Sequence, residues 1–164
     1  MRKLSFRLIV LVIALFVLPI DTSAKTFDIP VEDNKAYETL NGEWHFYHEQ
    51  LLTADEVEQR LAAGENGQIV SIPDSFENQV GMTNTYGTFA TYVSIPSSLV
   101  GKSLSIHNPF QYSAYRLFVD DQLIASNGVV GIDAVSHQAE MAPRINSFEV
   151  QKEQFLIVMQ LSSY

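Results

Sequence analysis

Gln111-Tyr112-Ser113-Ala114-Tyr115-Arg116-Leu117-Phe118-Val119-Asp120-Asp121-Gln122-Leu123-Ile124-Ala125-Ser126 reads as two β-strands joined at a pair of aspartates. Successive side chains of a strand point to opposite faces, so Tyr115, Leu117 and Val119 share one parity and Ala114, Arg116 and Phe118 the other. One face is wholly apolar, and the other carries a lone cation between two apolar neighbours. An arginine in that setting requires a partner, which is either a carboxylate of the same protein or a ligand. The pattern predicts a hairpin with one face in a core.

Working outward, the same alternation recurs on both sides. Phe155 to Leu161 is apolar on both parities, as a central strand covered on both faces is, and Ile145 to Val150 precedes it as another strand. Upstream, Phe89, Thr91, Val93 and Ile95 oppose Ala90, Tyr92 and Ser94, while Leu104 and Ile106 point inward from Ser103, Ser105 and His107. Leu40 to Tyr47 reads as a turn at Asn41-Gly42 and a strand, with Trp44 and Phe46 on one face and Glu43, His45 and Tyr47 on the other. Gln68 to Ile72 is a short strand stopped by Pro73, and Asp74 to Thr85 reads as a loop. Thr53-Ala54-Asp55-Glu56 matches a capping box, with Val57, Leu61 and Ala62 along one side of a helix that stops at Gly64 and is expected to lie across the end of a sheet. About eight strands at these spacings with one short helix predict an all-β fold, a β-sandwich or jelly roll.

The first 24 residues stand apart. Arg2, Lys3 and Arg7 precede an apolar run from Leu8 to Ile20 that leads to Asp21-Thr22-Ser23-Ala24, the form of a secretory signal peptide cut after Ala24. An uncleaved N-terminal anchor is the alternative, although the run is only 13 residues long and contains Pro19. Export to the periplasm or cell surface, with or without a membrane tether, is the corresponding expectation. Lys25 to Thr39 then reads as a lead-in and residues 40–164 as the domain, expected to be a fragment of something longer because it stops three residues beyond a central strand.

Without residues 1–24, 7 basic residues face 18 acidic ones, a formal charge of −11 that repels nucleic acid and anionic lipid. The chain has no cysteine, so disulfides, thiolate metal sites and a cysteine nucleophile are excluded. His45 and His48 fall on opposite faces of a strand and give no zinc pattern. No cofactor is expected, structural calcium at the Asp120-Asp121 and Asp133 loops being the one metal the acidic balance leaves room for. Glu43, Asp74, Glu77 and Asp120 show no spacing that selects a catalytic pair, and neither a nucleophile elbow nor a phosphate loop is present, so the domain is not expected to be an enzyme.

Four stretches in order, Leu40 to Tyr47, Ile72-Pro73-Asp74-Ser75-Phe76, Tyr86 to Tyr92 and Tyr112 to Asp121, give the chain a resemblance to a known family. Over roughly residues 37–164 it resembles the extracytoplasmic jelly-roll domain of bacterial seven-transmembrane receptors with diverse intracellular signalling modules. More distantly it resembles the sugar-binding jelly roll of β-galactosidase-type glycoside hydrolases; both are galactose-binding-domain-like. Two departures stand out: Asp120-Asp121 replaces the usual Asn-Gly or Asp-Gly turn, which strains a two-residue turn and implies a longer loop, and Phe76 stands where tryptophan is common. The resemblance implies a ligand-binding or sensory module that takes a carbohydrate or small carboxylated ligand and works with the membrane and signalling parts of a longer chain. The alternatives are an accessory sugar-binding domain of an exported glycoside hydrolase and a protein-interaction module.

Arg116 is the first site candidate, since its planar fork can hold a carboxylate or adjacent sugar hydroxyls, with Tyr112 and Tyr92 as aromatic faces beside it. An internal ion pair is the competing reading. Asn127 and Arg144, with Asn78 and Asn84, are expected at strand ends, where loop tips of such folds bind ligands; ordinary turn chemistry competes for Asn127-Gly128.

Overall fold

The structure, a computed structural model, describes residues 26–30, 37–108, 113–142 and 144–164. The signal-peptide reading of residues 1–24 lies outside that range.

Among the described residues nine strands form two sheets. In chain order they are β1 (Phe27–Asp28), β2 (Gly42–His48), β3 (Gln68–Ile72), β4 (Thr85–Ser94), β5 (Ser103–Asn108), β6 (Ala114–Val119), β7 (Gln122–Asn127), β8 (Arg144–Glu149) and β9 (Gln154–Ser163). The larger sheet runs β3-β2-β4-β9-β6-β7, with β1 added in parallel against the end of β4; β5 and β8 alone make the smaller one. Phe27 and Asp28, read from sequence as lead-in, thus pair with Val93 and Ser94. The antiparallel sandwich with its helix is the predicted fold class.

The parity read from sequence decides how the large sheet is covered. Trp44, Phe46, Phe89, Val93, Tyr115, Leu117, Phe155 and Ile157 form one buried cluster with Phe148 of β8, and the partly buried Leu104 and Ile106 of β5 pack against it. Tyr47, Ala90, Leu156 and Val158 form a second cluster on the opposite face. It is closed by helix α1 (Ala54–Ala62), whose Val57 is fully buried. The helix therefore lies on a sheet face and not across a sheet end. A sheet with two apolar faces needs two covers, and α1 supplies the one the smaller sheet cannot reach. Strand β9, between β4 and β6 and buried on both faces, is the central element the sequence predicts. Burial of this kind contributes about 1.5–3 kcal/mol for each large apolar side chain.

Two local results differ from expectation. Within the segment read as loop, Phe76–Val80 forms a one-turn helix, α2, capped by Ser75 and closed by Gly81 at φ 73. It places Phe76 against Phe46 and Phe89, with ring centroids 5.9 and 5.8 Å away. The Asp120-Asp121 connection joins Val119 to Gln122 with no additional residues, because Asp120 accepts φ 50. Aspartate tolerates the left-handed region better than most residues, and a β-bulge beside Leu117 and Phe118 absorbs the remaining irregularity.

Candidate functional site

Two strands cannot cover the apolar face of a seven-stranded sheet. Between the sheets lies a cleft of about 990 Å³, walled on one side by Trp44, Phe89, Leu117, Phe155 and Met159 and on the other by every residue of β5. Only β8 pairs with β5 among the described strands, so β5 presents its second edge to this space. Tyr37, 79% exposed, stands at the mouth with Asp74 and His107. Apolar walls, a few polar groups and a volume of this order are the usual make-up of a small-molecule site.

The predicted site residues do not gather there. Arg116 lies on the outer face of the large sheet, opposite Gln160 of β9 and Ser126 of β7. Its Nε is buried without a hydrogen-bond partner, and the ion pairs given by the described residues, Arg60 with Glu65 and Lys152 with Asp120, do not include it. Tyr92 shares that outer face but pairs with Leu156, four residues along β9 from Gln160, which is roughly 13 Å at the rise of a strand. Burial pushes its hydroxyl above the ordinary value of 10. Tyr112 lies outside the described residues. Asn127 is buried at the end of β7, where its side-chain amide donates to the Glu140 carbonyl and so moors the β7–β8 connection. Arg144 opens β8 opposite Asn108, in the other sheet. Asn127, Arg144 and Asn84 do share one end of the sandwich, the end at which β7 finishes and β4 and β8 begin; Asn78 sits within α2.

The carboxylates and histidines considered from sequence are mostly committed to the fold, in the cleft and away from it. Asp74 accepts from the Ser75 amide at 2.7 Å and from the Asn78 side chain at 2.6 Å, so it is a brace for α2. Asp120 accepts from the Leu156 amide at 3.0 Å, and Asp133 from the Ser136 amide at 2.7 Å. No group of three or more His, Asp or Glu among the described residues is placed to hold a metal ion. His45 bonds the Asn66 carbonyl and His48 the Thr85 hydroxyl, each at 2.8 Å, consistent with the opposite faces read from sequence.

Gln160 is the functional candidate that pattern reading passes over. It is 4% exposed, donates through Nε2 to the Leu52 carbonyl at 2.9 Å, and leaves Oε1 buried without a partner. The signal for it was a polar side chain in a strand otherwise covered on both faces.

No protein-family model and no curated protein matches the chain. Solved structures do. A β-glucuronidase of Lactobacillus rhamnosus matches at a TM-score of 0.52 and 16% identity, covering 85% of this chain and 23% of its own. The β-glucuronidase of Faecalibacterium prausnitzii gives 0.51 and 17%, over 76% and 20%. That of Ruminococcus gnavus gives 0.50 and 12%, over 77% and 21%. The chain therefore spans about a fifth of the length of these proteins, and at such identities the likeness is one of fold. Among the described residues no helix is long and apolar enough to cross a membrane.

Proposed function

We propose that the domain is a non-catalytic binding module for a carbohydrate or another small ligand, held in the cleft between the two sheets. The cleft is the observation that carries this reading: about 990 Å³ of space inside the sandwich, with an apolar wall on the large sheet and Ser103, Ser105, His107 and Asn108 among the β5 residues facing it. The described residues lining it include no lysine or arginine, so it suits a neutral amphipathic ligand better than an acid. Its two carboxylates, Asp74 and Glu38, make no opposed pair for glycoside chemistry, since Asp74 is bound into the α2 cap and Glu38 has an interaction of its own.

Trp44, the only tryptophan, forms part of the wall and reports occupancy directly. Titration with a panel of neutral mono- and disaccharides should change its fluorescence and raise the melting temperature, because a ligand held by the native state alone stabilises that state. A panel that leaves both unchanged removes this reading.

The four sequence stretches from Leu40 to Asp121 support reading the module as the extracytoplasmic sensory part of an exported, membrane-bound receptor. A second reading, as an accessory domain of an exported glycoside hydrolase, is favoured by the fold shared with β-glucuronidases. The coding sequence downstream of Tyr164 discriminates the two: membrane-spanning helices with a signalling module support the first, a (β/α)-barrel the second.

A further inference from the structure

We infer that Arg116 and Gln160 form the floor of a second site, on the outer face of the large sheet, for a small carboxylic acid with a hydroxyl or ammonium donor beside its carboxylate. This goes beyond the cleft, which lies on the other side of the same sheet.

Arg116 and Gln160 stand directly opposite each other on β6 and β9, where facing side chains start about 5 Å apart. Each holds a buried polar atom that the fold leaves unused, Nε of the arginine and Oε1 of the glutamine. The amide orientation of Gln160 is fixed, because the Leu52 carbonyl needs a donor and Nε2 supplies it. One atom is thus a donor and the other an acceptor. A chain with 19 acidic residues offers this half-buried guanidinium no carboxylate among its described residues, although such a group is unfavourable without a counter-charge.

The surroundings give the site sides as well as a floor. Across the sheet, the row through Arg116 continues as Gln160, Thr88 and Tyr47 in one direction and Ser126 in the other. Thr88 donates to the Gln50 carbonyl and accepts from the Leu52 amide, which with the Gln160 bond pins residues 50–52 above the row as a wall. Ser126 is exposed, so the opposite side is open to solvent. Phe118, two residues along β6, supplies an apolar flank on the same face. An acid entering over Ser126 would draw the half-buried Arg116 side chain onto its carboxylate, and that movement would open the buried Gln160 Oε1 to the neighbouring donor.

The test is titration of the protein with lactate, glucuronate and glutamate, each against its match lacking one feature: propionate, glucose and γ-aminobutyrate. At about 10 mM, at least one hydroxy or amino acid should raise the melting temperature more than its match does. Arg116→Met should abolish the shift, and Arg116→Lys should weaken binding roughly tenfold by keeping the charge and losing the fork. Gln160→Met should leave acid binding but remove the preference for lactate over propionate. The inference is overturned if no acid shifts the melting temperature, or if Arg116→Lys binds as tightly as the parent. Should Arg116→Met fail to fold, the lysine variant carries the decision. A neutral sugar that perturbs Trp44 while no acid binds would leave the cleft reading standing and sink this one alone.

Discussion

Asp120 occupies the left-handed region at φ 50 and is bonded to β9 twice over: its amide donates to the Leu156 carbonyl at 2.7 Å, and its Oδ1 accepts from the Leu156 amide at 3.0 Å. The Lys152 ammonium 3.2 Å away is half exposed and adds little. Conformation and hydrogen bond together explain why aspartate suffices where glycine is usual. Asp120→Asn should stay within about 0.5 kcal/mol of the parent, whereas Asp120→Val, which loses the acceptor and strains the backbone, should cost about 2–3 kcal/mol in urea unfolding. Gly87 illustrates a close approach of another kind, since a Cβ there would lie 2.4 Å from the Phe46 ring and 2.9 Å from the Tyr47 carbonyl oxygen. Gly87→Ala should destabilise by about 1–3 kcal/mol, read from the same unfolding curves. His137 bonds the Ser162 hydroxyl at 2.8 Å, and burial pushes its imidazole below the ordinary value of 6.5. The unfolded chain binds that proton more readily, so this contribution is present above 6.5 and declines as pH falls through the interval down to the folded value. Urea midpoints on the two sides of 6.5 should differ more in the parent than in His137→Gln.

Helix α1 was legible because its start is a local device. Thr53 accepts from the Glu56 amide at 3.3 Å and the Glu56 carboxylate accepts from the Thr53 amide at 2.8 Å, which is the capping box the sequence spells out. Thr53→Ala should cost about 1 kcal/mol, measured as a fall in the urea midpoint. The Thr53 amide bond holds the Glu56 carboxyl below its ordinary 4.5, so the box is intact above that value and is lost as pH falls through the folded one. Helix α2 was not legible, although Ser75 and Gly81 are good cap residues, because a single turn has no apolar period to detect. The aromatic cluster of Phe46, Phe76 and Phe89, with the Asp74 and Ser75 bonds at its start, gives it a reason to form. The strands β4 to β8 were readable for the opposite reason, since alternation needs only a few residues to declare itself, and β9 showed itself as a run apolar on both parities.

For the molecule as a whole, unequal sheets imply unequal stability. Strands β4 and β9 pair along ten residues each and are covered on both faces, while β5 has one partner and borders the cleft. Amide exchange should be slowest in β4 and β9 and clearly faster in β5, and equal protection across both sheets would contradict this account. At Arg116 the sequence showed an arginine between apolar neighbours on one face of a strand. It could not show that Gln160 lies opposite, that Tyr92 is two rows away along the strands, or that Asn127 is tied to Glu140. The amino-acid sequence by itself determined the strands from β2 onward and the α1 cap, because parity, turn chemistry and capping act over a few neighbouring residues, whereas the two-residue β1 is too short to show a period. Only the tertiary structure decided the strand order, the face that α1 covers, the cleft left by a two-stranded second sheet and the pairing of Arg116 with Gln160. Those depend on which distant segments bury surface against one another, and no local period records that choice.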